Sequence, residues 1–390
     1  MPTSFLTNEQ RLYLGIDPIS EDWDIVEFTN RMFTGEHVWL AFDGDTIRRL
    51  IRLTENMYEE IQLCELTAAD RTILLPKTGR GKPKKLNFAA TQKMQGRGNY
   101  FYAWMGGIDG RRCSVGIANY TTQRTYIHED FHDTGILKDD VQRWLRKWID
   151  ETTDEDLAEI NRFKNAQRTH QNYRAGDFFA FRLSRREWGF GRILMDVRKL
   201  LKDPHFSTAK NYGLTNLIGH PLIVHLYHKI DTTPHASIEE LKTLPALPAQ
   251  AIFDNRFFYG EYPIIGHLPV SPEEYDPLIS VSETIRGLNP KVAYLQYGLI
   301  YKETDVEAFE ASFPDTLHER YRNDSIGFTL KFPNLRQCIA ERSNQKFWDS
   351  GNLFDHDLRN PRNADMKRRL FSFFGLDADK SYAENLFFYS

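Results

Sequence analysis

The chain has 390 residues, of which 41% are hydrophobic and 27% are charged, and its formal net charge at pH 7 is −4. This composition can bury enough apolar surface to fold, so it excludes a disordered chain. The small negative charge supplies no overall basic field, so a nucleic-acid partner would need a local basic patch. A chain of this length is too long for one ordinary core, and we expect two domains.

The cysteines and the amino terminus indicate the compartment. Cys64, Cys113 and Cys338 are odd in number and far apart, so they form neither a disulfide framework nor a paired zinc ribbon. The amino terminus lacks the basic and apolar regions of a signal peptide, and no run of about 18 uncharged apolar residues occurs. We therefore expect a cytoplasmic protein that does not span a membrane. No motif indicates a cofactor.

Residues 1–170 are predicted to form a mixed α+β domain of unknown role. The domain begins with a short helix near Asn8–Leu14, capped by Thr7 or Asn8. The Phe-Asp-Gly-Asp stretch at 42–45 predicts a tight turn. From Asn99, three β-rich runs with short breaks between them predict antiparallel strands.

Two helices are expected to close this domain. Apolar residues from Leu137 onwards recur at helical spacing and predict the first. Thr153, followed three residues later by Asp156, predicts the capped start of the second. The polar stretch at 165–175 is the expected boundary, and a second domain is predicted over 176–390.

The second domain is predicted to be mostly antiparallel β, with its core at 176–300. Its aliphatic and aromatic runs are bounded by glycine or proline and predict a series of strands, among them one that starts at Gln250 and another that starts at Val292. The missing side chains of Gly189 and Gly191 should let another backbone or a bulky ring lie close to them. The sheet is expected to be barrel-like or strongly curved, because these glycines permit a sharp corner. Helical patterns in the remaining sequence predict a helical C-terminal extension. The predicted fold class of the whole chain is α+β.

One hairpin is predicted with particular clarity, in the stretch DFFAFRLSRREWGFGRIL from Asp177 to Leu194. Aromatic residues alternate along the first run, so one face is expected to be core. The polar Ser-Arg-Arg-Glu segment is expected to form a loop of about four residues. Most such aromatics pack within a sheet. The candidates for partner contacts are Trp188 and Arg192, because tryptophan and arginine often carry binding energy, together with Asp177.

This hairpin resembles the opening of the Immunity-protein 26 family from bacterial polymorphic toxin systems. Members of that family begin with Gly-Asp, an aromatic strand that ends in leucine, a loop, and a Tyr/Trp-Gly-aromatic-Gly-Arg strand. The resemblance covers about 176–300, and the matching residues are Gly176, Asp177, Phe179, Ala180, Leu183, Trp188, Gly189, Phe190, Gly191, Arg192 and Leu194. It implies a mostly β domain, with no catalytic residues to carry over. The implied function is to bind a cognate protein toxin, encoded by a neighbouring gene, and to neutralise it by occlusion in the cytoplasm.

The sequence His-Glu-Asp-Phe-His at 128–132 matches the H-E-x-x-H pattern, in which two histidines bind zinc and the glutamate acts as base. That pattern needs a helix, whereas the residues before it favour a strand and Asp-Thr-Gly follows it. We therefore expect a surface turn rich in histidine and aspartate, without a metal. The alternative from the enzyme class is a zinc hydrolase that uses His128, His132 and Glu129.

A second alternative comes from a stretch rich in basic residues, here called the basic loop (residues 77–97). Its Thr-Gly-Arg-Gly-Lys segment lacks the spacing of a phosphate-binding loop. Because runs of charge mostly mark exposed faces, a solvated loop is expected. The alternative is a nucleic-acid-binding regulator. Its contact residues would be Lys77, Arg80, Lys82, Lys84, Lys85 and Arg97.

Other polar residues carry weaker signals. His225 and His228 are three residues apart in a predicted strand, so they should point to opposite faces and cannot chelate one ion together. Asp254, Glu261 and His267 lie near the last predicted strands of the sheet. They are a candidate set of carboxylates and an imidazole.

Overall fold

The structure is a computed structural model, and the chain in it folds as two compact units, Met1–Thr169 and His170–Ser390. Both units combine antiparallel sheets with helices, which confirms the predicted α+β class. None of the described helices has the length and apolar character that crossing a membrane requires. The structure describes residues 5–29, 35–106, 112–132, 135–204, 206, 210–275, 277–284, 291–314, 321–323, 326–327, 330, 334–349 and 354–389.

The first unit is built on one large antiparallel sheet. Its elements in chain order are α1 (Asn8–Tyr13), β1 (Asp24–Thr29), β2 (His37–Asp43), β3 (Thr46–Leu53), β4 (Met57–Thr67), β5 (Ile73–Leu75), β6 (Lys84–Lys85), α2 (Phe88–Thr91), β7 (Asn99–Gly106), β8 (Arg112–Asn119), β9 (Arg124–His132), α3 (Leu137–Asp150) and α4 (Asp154–Lys164). The strands lie in the order β1-β2-β3-β4-β7-β8-β9, with β5 on β4 and β6 on β5. Most neighbouring strands are also consecutive in sequence, because short connections favour antiparallel pairing.

Local signals in the sequence account for several of these elements. The Thr7 side chain and Gln10 form a capping box at the start of α1, and Thr153 and Asp156 form another at α4. Both predicted helix starts are confirmed. The tight turn between β2 and β3 is also confirmed, since Gly44 adopts a positive φ of 59° there. The three strands predicted after Asn99 are β7, β8 and β9.

The two faces of this sheet are covered differently. One face packs against α1, α3 and α4, and its core includes Phe101, Ala103, Val115, Ile117, Trp144 and Leu145. Over β2, β3 and β4, the opposite face is covered by the segment that contains the basic loop. That second core includes Val38, Leu40, Leu50, Ile61, Leu74 and Met94, with Leu86 and Phe88 packed against it. We call this second side the outer face.

The second unit contains two antiparallel sheets and several short helices. Its elements are β10 (Asp177–Ser184), β11 (Glu187–Asp196), α5 (Val197–Leu200), α6 (Tyr212–Thr215), β12 (Pro221–Asp231), α7 (Ile238–Leu241), β13 (Ala246–Phe253), α8 (Asn255–Phe258), β14 (Ile264–His267), β15 (Ile279–Glu283), β16 (Val292–Tyr297), β17 (Ile300–Asp305), α9 (Val306–Ser312), α10 (Leu335–Ala340), α11 (Gln345–Trp348), α12 (Ala364–Phe373) and α13 (Tyr382–Tyr389). One sheet has the order β13-β12-β11-β10-β14, and the other has the order β15-β16-β17.

The five-stranded sheet is open. The sequence predicted a barrel-like or a strongly curved sheet, and the sheet does not close into a barrel. Within the described residues, β13 and β14 each pair with a single strand of the sheet. The register shifts at several points, including between Gly189 and Gly191 and between Ile193 and Met195. Such shifts bend a strand and increase its twist, which fits the corner predicted at the glycines.

Two details of the second unit differ from the prediction. The run that starts at Gln250 was expected to be one strand, but β13 ends at Phe253 and α8 follows at once. The run that starts at Val292 forms a hairpin instead of one strand, because Gly298 takes a positive φ of 56° between β16 and β17. The predicted helical extension is confirmed as α9 to α13. Helices α9, α12 and α13 pack against the three-stranded sheet.

Candidate functional site

The β10–β11 hairpin is held together by aromatic rings that lie on glycines. A Cβ atom at Gly191 would be 2.5 Å from Cζ of Phe179 and 2.6 Å from the carbonyl oxygen of His225. A Cβ atom at Gly189 would likewise overlap the Phe181 ring. The missing side chains therefore let the rings of β10 lie against the main chain of β11, as the sequence predicted.

Both faces of this hairpin are core, whereas the sequence predicted only one. Phe179 and Phe181 pack on one side with Phe257 and Trp348. Phe178 is on the other side and is fully buried, in a cluster that includes Leu241. The second layer comes from residues distant in sequence, so alternation along β10 could not reveal it.

Arg192 lies in the interior of the second unit. Its side chain is 1% exposed, and Nη1 is 2.5 Å from Oε1 of Glu274. Nη2 donates to the carbonyl oxygens of Leu268 and Pro269, both at 2.9 Å. The guanidinium also lies over the Phe178 ring, 4.6 Å from its centroid. Arg192 thus joins β11 to the segment that follows β14.

Asp177 has a similar bracing position at the start of β10. It is 5% exposed, and its Oδ1 lies 2.7 Å from Nδ1 of His267 in β14. Its Oδ2 accepts a hydrogen bond of 2.8 Å from the backbone N–H of Arg174. The structure therefore places Asp177 and Arg192 inside the sheet, where each fixes a neighbouring segment.

Trp188 is the exception among the three candidates, because it is only half-buried and lies near the hairpin tip. The guanidinium of Arg182 stacks over its ring at 4.5 Å. The tip is a two-residue loop, since Ser184 pairs directly with Glu187. The predicted four-residue loop is wrong because Ser184 and Glu187 extend the strands. Arg336 donates two hydrogen bonds of 2.6 Å to the Glu187 carboxylate.

A polar network that sequence reasoning missed lies at one end of the five-stranded sheet. Nε2 of His220 is 2.9 Å from Asp196, and Nδ1 is 3.2 Å from Asp254. The Tyr173 hydroxyl donates to Asp254 at 2.6 Å. The end of β11, the start of β12 and the end of β13 meet there in antiparallel register, which brings these residues together.

The surroundings shift the pKa of two members of this network, Asp196 and Tyr173. Burial would raise the pKa of Asp196, but the hydrogen bonds that it accepts from Lys199 and His220 outweigh burial and lower it. Burial and the Asp254 carboxylate together raise the pKa of Tyr173 well above its usual range. Both ring nitrogens of His220 face carboxylates, so the network braces three strand ends.

The set of Asp254, Glu261 and His267 suggested by the sequence is not assembled. Asp254 belongs to the His220 network, Glu261 pairs with Arg256, and His267 pairs with Asp177. Each partner lies on a different element, so proximity along the chain was misleading.

The His-Glu-Asp-Phe-His motif lies in strand β9, so the surface turn expected there is wrong. Residues four apart in a strand are about 13 Å apart, whereas one helical turn would bring His128 and His132 close together. Nδ1 of His128 is 2.9 Å from the Tyr102 hydroxyl, and Glu129 accepts a 2.7 Å hydrogen bond from Trp144. The side chain of His132 lies outside the described residues. Among the side chains that are described, no group of three His, Cys, Asp or Glu is placed to hold a metal ion.

The two histidines of β12 do not form a common site. His228 hydrogen bonds to the Ile339 carbonyl and to Asn344. His225 is 9% exposed, and burial together with the nearby Arg192 charge lowers its pKa to about 3. The predicted placement on opposite faces of a strand agrees with these different surroundings.

The basic loop lies on the surface of the first unit. Its seven Lys and Arg side chains are exposed, as the sequence predicted for a solvated segment, whereas Met94 is buried in the outer-face core and Leu86 and Phe88 pack against that core. The six candidate residues are Lys77, Arg80, Lys82, Lys84, Lys85 and Arg97.

The second unit therefore has the character of a scaffold, in which an antiparallel sheet braced by buried polar contacts presents a hairpin. The family model of Immunity protein 26 matches residues 174–291, which include that hairpin and most of the five-stranded sheet. The match spans fewer than a third of the residues in the chain, and it confirms the resemblance inferred from the hairpin. A search of curated proteins and a search of solved structures each gave no significant match. The matched family indicates an immunity function, exerted on a toxin.

Proposed function

We propose that this chain is an immunity protein that binds one cognate toxin and neutralises it by covering its active surface. The toxin would be encoded by a neighbouring gene, and the two proteins would meet in the cytoplasm. The observation that carries this proposal is the match to Immunity protein 26 over the segment that contains the β10–β11 hairpin. A protein that blocks an enzyme needs complementarity to it and no chemistry of its own.

The tip of the β10–β11 hairpin is the proposed contact surface. Trp188 is half-buried and has Arg182 stacked on its ring, so it presents an aromatic surface held in one orientation. Its neighbours at the hairpin tip are also charged, with exposed Arg186 in the two-residue loop and Glu187, the residue before it in β11, paired with Arg336. A rigid aromatic anchor inside a polar rim is the usual anatomy of a binding hot spot.

Asp177 and Arg192 support this surface from inside. Arg192 ties β11 to the segment after β14, and Asp177 ties β10 to β14. A hairpin fixed in this way loses little conformational entropy when a partner binds. We therefore assign Trp188 as the contact residue and the two buried charges as residues that position the hairpin.

Co-expression with the neighbouring toxin and calorimetric titration of the purified pair would test this proposal. Trp188→Ala should weaken toxin binding by at least about 2 kcal/mol, or roughly 30-fold, as truncation of a hot-spot tryptophan does. Trp104→Ala removes an exposed tryptophan from the first unit and should leave toxin affinity unchanged. If the intact chain neither binds nor inhibits the toxin encoded beside it, the proposal fails.

A further inference from the structure

The outer face of the first unit carries aromatic side chains that the proposed immunity function does not use. Phe101 and Ala103 of β7 belong to the helix-side core, so the alternate residues Tyr100, Tyr102 and Trp104 lie on the outer face. Trp104 is 39% exposed. Alternate residues of a strand are about 7 Å apart, so these rings form an evenly spaced row.

Two of these rings lie against glycines of the sheet. A Cβ atom at Gly116 would overlap the Tyr102 ring, and one at Gly106 would overlap the Trp104 ring. Each ring therefore packs against bare main chain, and of the two the Trp104 ring is the exposed one. His128 extends the Tyr102 surface, with ring planes 29° apart and centroids 5.9 Å apart. We call Tyr102, Trp104 and His128 the aromatic platform.

The basic loop borders this platform. Leu86 and Phe88, inside the loop, pack on the same outer-face core as Tyr100. A Cβ atom at Gly96 would overlap the ring of Tyr120, whose centroid lies 4.3 Å from that of Tyr100 with the two planes tilted by 41°. Loop and aromatic row therefore share one continuous surface.

The charge on this surface is strongly positive in a chain whose net charge is negative. Residues 77–97 contain seven Lys or Arg and no Asp or Glu. All seven are exposed, and in the described part of the chain none of them pairs with a carboxylate. Two acids of the outer face have partners of their own, Glu59 with Arg52 at 2.5 Å and Asp130 with His128 at 3.3 Å and Arg112 at 3.8 Å.

We propose that the aromatic platform and the basic loop together bind single-stranded nucleic acid. Bases would stack on the outward ring faces, and phosphates would lie along the loop lysines and arginines. Stacking tolerates any sequence because every base has a π face, and a sheet surface with two or three stacked bases is an established way to hold a single strand. A duplex is a poorer candidate because its base faces are hidden by stacking. An acidic protein is also a poorer candidate, because it would use the lysines and arginines of the loop but would not need the aromatic rings. The first unit would thus carry a binding activity separate from toxin neutralisation.

Fluorescence anisotropy with the full chain tests this proposal. The probes are labelled oligo(dT) and oligo(rU) of about 12 nucleotides, a length within the known range of about 4–16 for compact single-strand sites. A duplex of the same length and polyglutamate are the competitors. Single strands should bind most tightly, and Trp104→Ala should weaken that binding about 5- to 150-fold, the effect of losing one stacked base. Trp104→Phe keeps a stacking face and should retain most of the affinity.

A charge variant gives a second, independent readout. Each phosphate contact with a single strand contributes about −0.7 to the slope of log K against log salt. Replacing Lys82, Lys84 and Lys85 by alanine should make that slope shallower by about 2. The matched control replaces Lys138, Arg146 and Lys147 of α3, which are exposed and lie on the helix side of the sheet. The control changes the net charge equally and should leave the slope unchanged.

Three results would overturn the inference. The first is no binding of either oligonucleotide at about 50 mM salt, where electrostatic contacts are strongest. The second is equal binding of duplex and single strand with no effect of Trp104→Ala, which would reduce the surface to a charged patch. The third is preferential binding of polyglutamate, which would assign the loop to an acidic protein. Toxin binding by the same preparations keeps this outcome distinct from that of the immunity proposal.

Discussion

Replacing Arg192 with methionine should destabilise the second unit by about 3 kcal/mol. The guanidinium is 1% exposed and is the donor to the carbonyl oxygens of Leu268 and Pro269. Hydrogen bonds from a charged donor contribute about 1.5–3 kcal/mol each, and removing one partner of a buried ion pair costs about 3–5 kcal/mol. We take the lower end because Glu274 is 36% exposed and can regain water. Methionine retains apolar contact with Phe178, so the loss should reflect the polar contacts.

Hydrogen–deuterium exchange read by mass spectrometry is the suitable assay, because it separates the two units of the chain. Peptides from β10, β11 and β14 should lose protection in Arg192→Met, while peptides from the first unit should not change. Arg198→Met is the control, since Arg198 is exposed and its loss should change stability by less than about 0.5 kcal/mol. A change below about 1 kcal/mol in the β11 peptides would refute the bracing role of Arg192.

Three further predictions concern single residues. Glu60→Gln should destabilise the first unit by about 3–5 kcal/mol in urea unfolding, because it leaves two fully buried arginines without their counterion; unchanged stability would contradict this. Gly191→Ala should cost about 1–3 kcal/mol, since its Cβ would meet Phe179 and a backbone oxygen, while Gly79→Ala has open space and should cost little. The pKa of His225 is about 3 in the fold and about 6.5 when unfolded, so its contribution is complete above pH 6.5 and is lost as the pH falls towards 3. At pH 5 this loss should be about 2 kcal/mol, and a His225→Gln variant that keeps the same pH dependence would contradict the assignment.

The elements set by neighbouring residues could be predicted from the sequence. Capping residues fixed the starts of α1 and α4, and helical spacing fixed α3. The alternating aromatics with glycine at 189 and 191 predicted the hairpin and the contact of ring with glycine. Each of these signals lies within a few residues of the feature that it determines.

Features set by distant residues could not be predicted in this way. Asp177 meets His267 across 90 positions, and His220 joins Asp196 and Asp254 only because three strand ends are adjacent. The burial of Arg192 also depends on Glu274, far along the chain. From the sequence, Asp177 and Arg192 are charged residues that could contact a partner. Only the register of the sheet shows that both are buried.

The motif at His128 shows the opposite error. Its spacing matches a zinc-binding helix. That spacing brings two histidines together only when the residues form a helix, and here they form a strand. In β9, His128 instead borders Tyr102 and becomes part of an aromatic surface. Local β-propensity in the preceding residues was the more informative signal.

The contact of an aromatic ring with a glycine recurs in both units. In each case the residues at the ring position and at the glycine position constrain each other. Gly116 accommodates Tyr102 in the first unit, and Gly191 accommodates Phe179 in the second. A larger residue at the glycine position should be tolerated only when the same sequence also replaces the ring with a smaller side chain. Natural variants of this chain should therefore show paired changes at these positions, and a saturation library should enrich the double replacement over either single one.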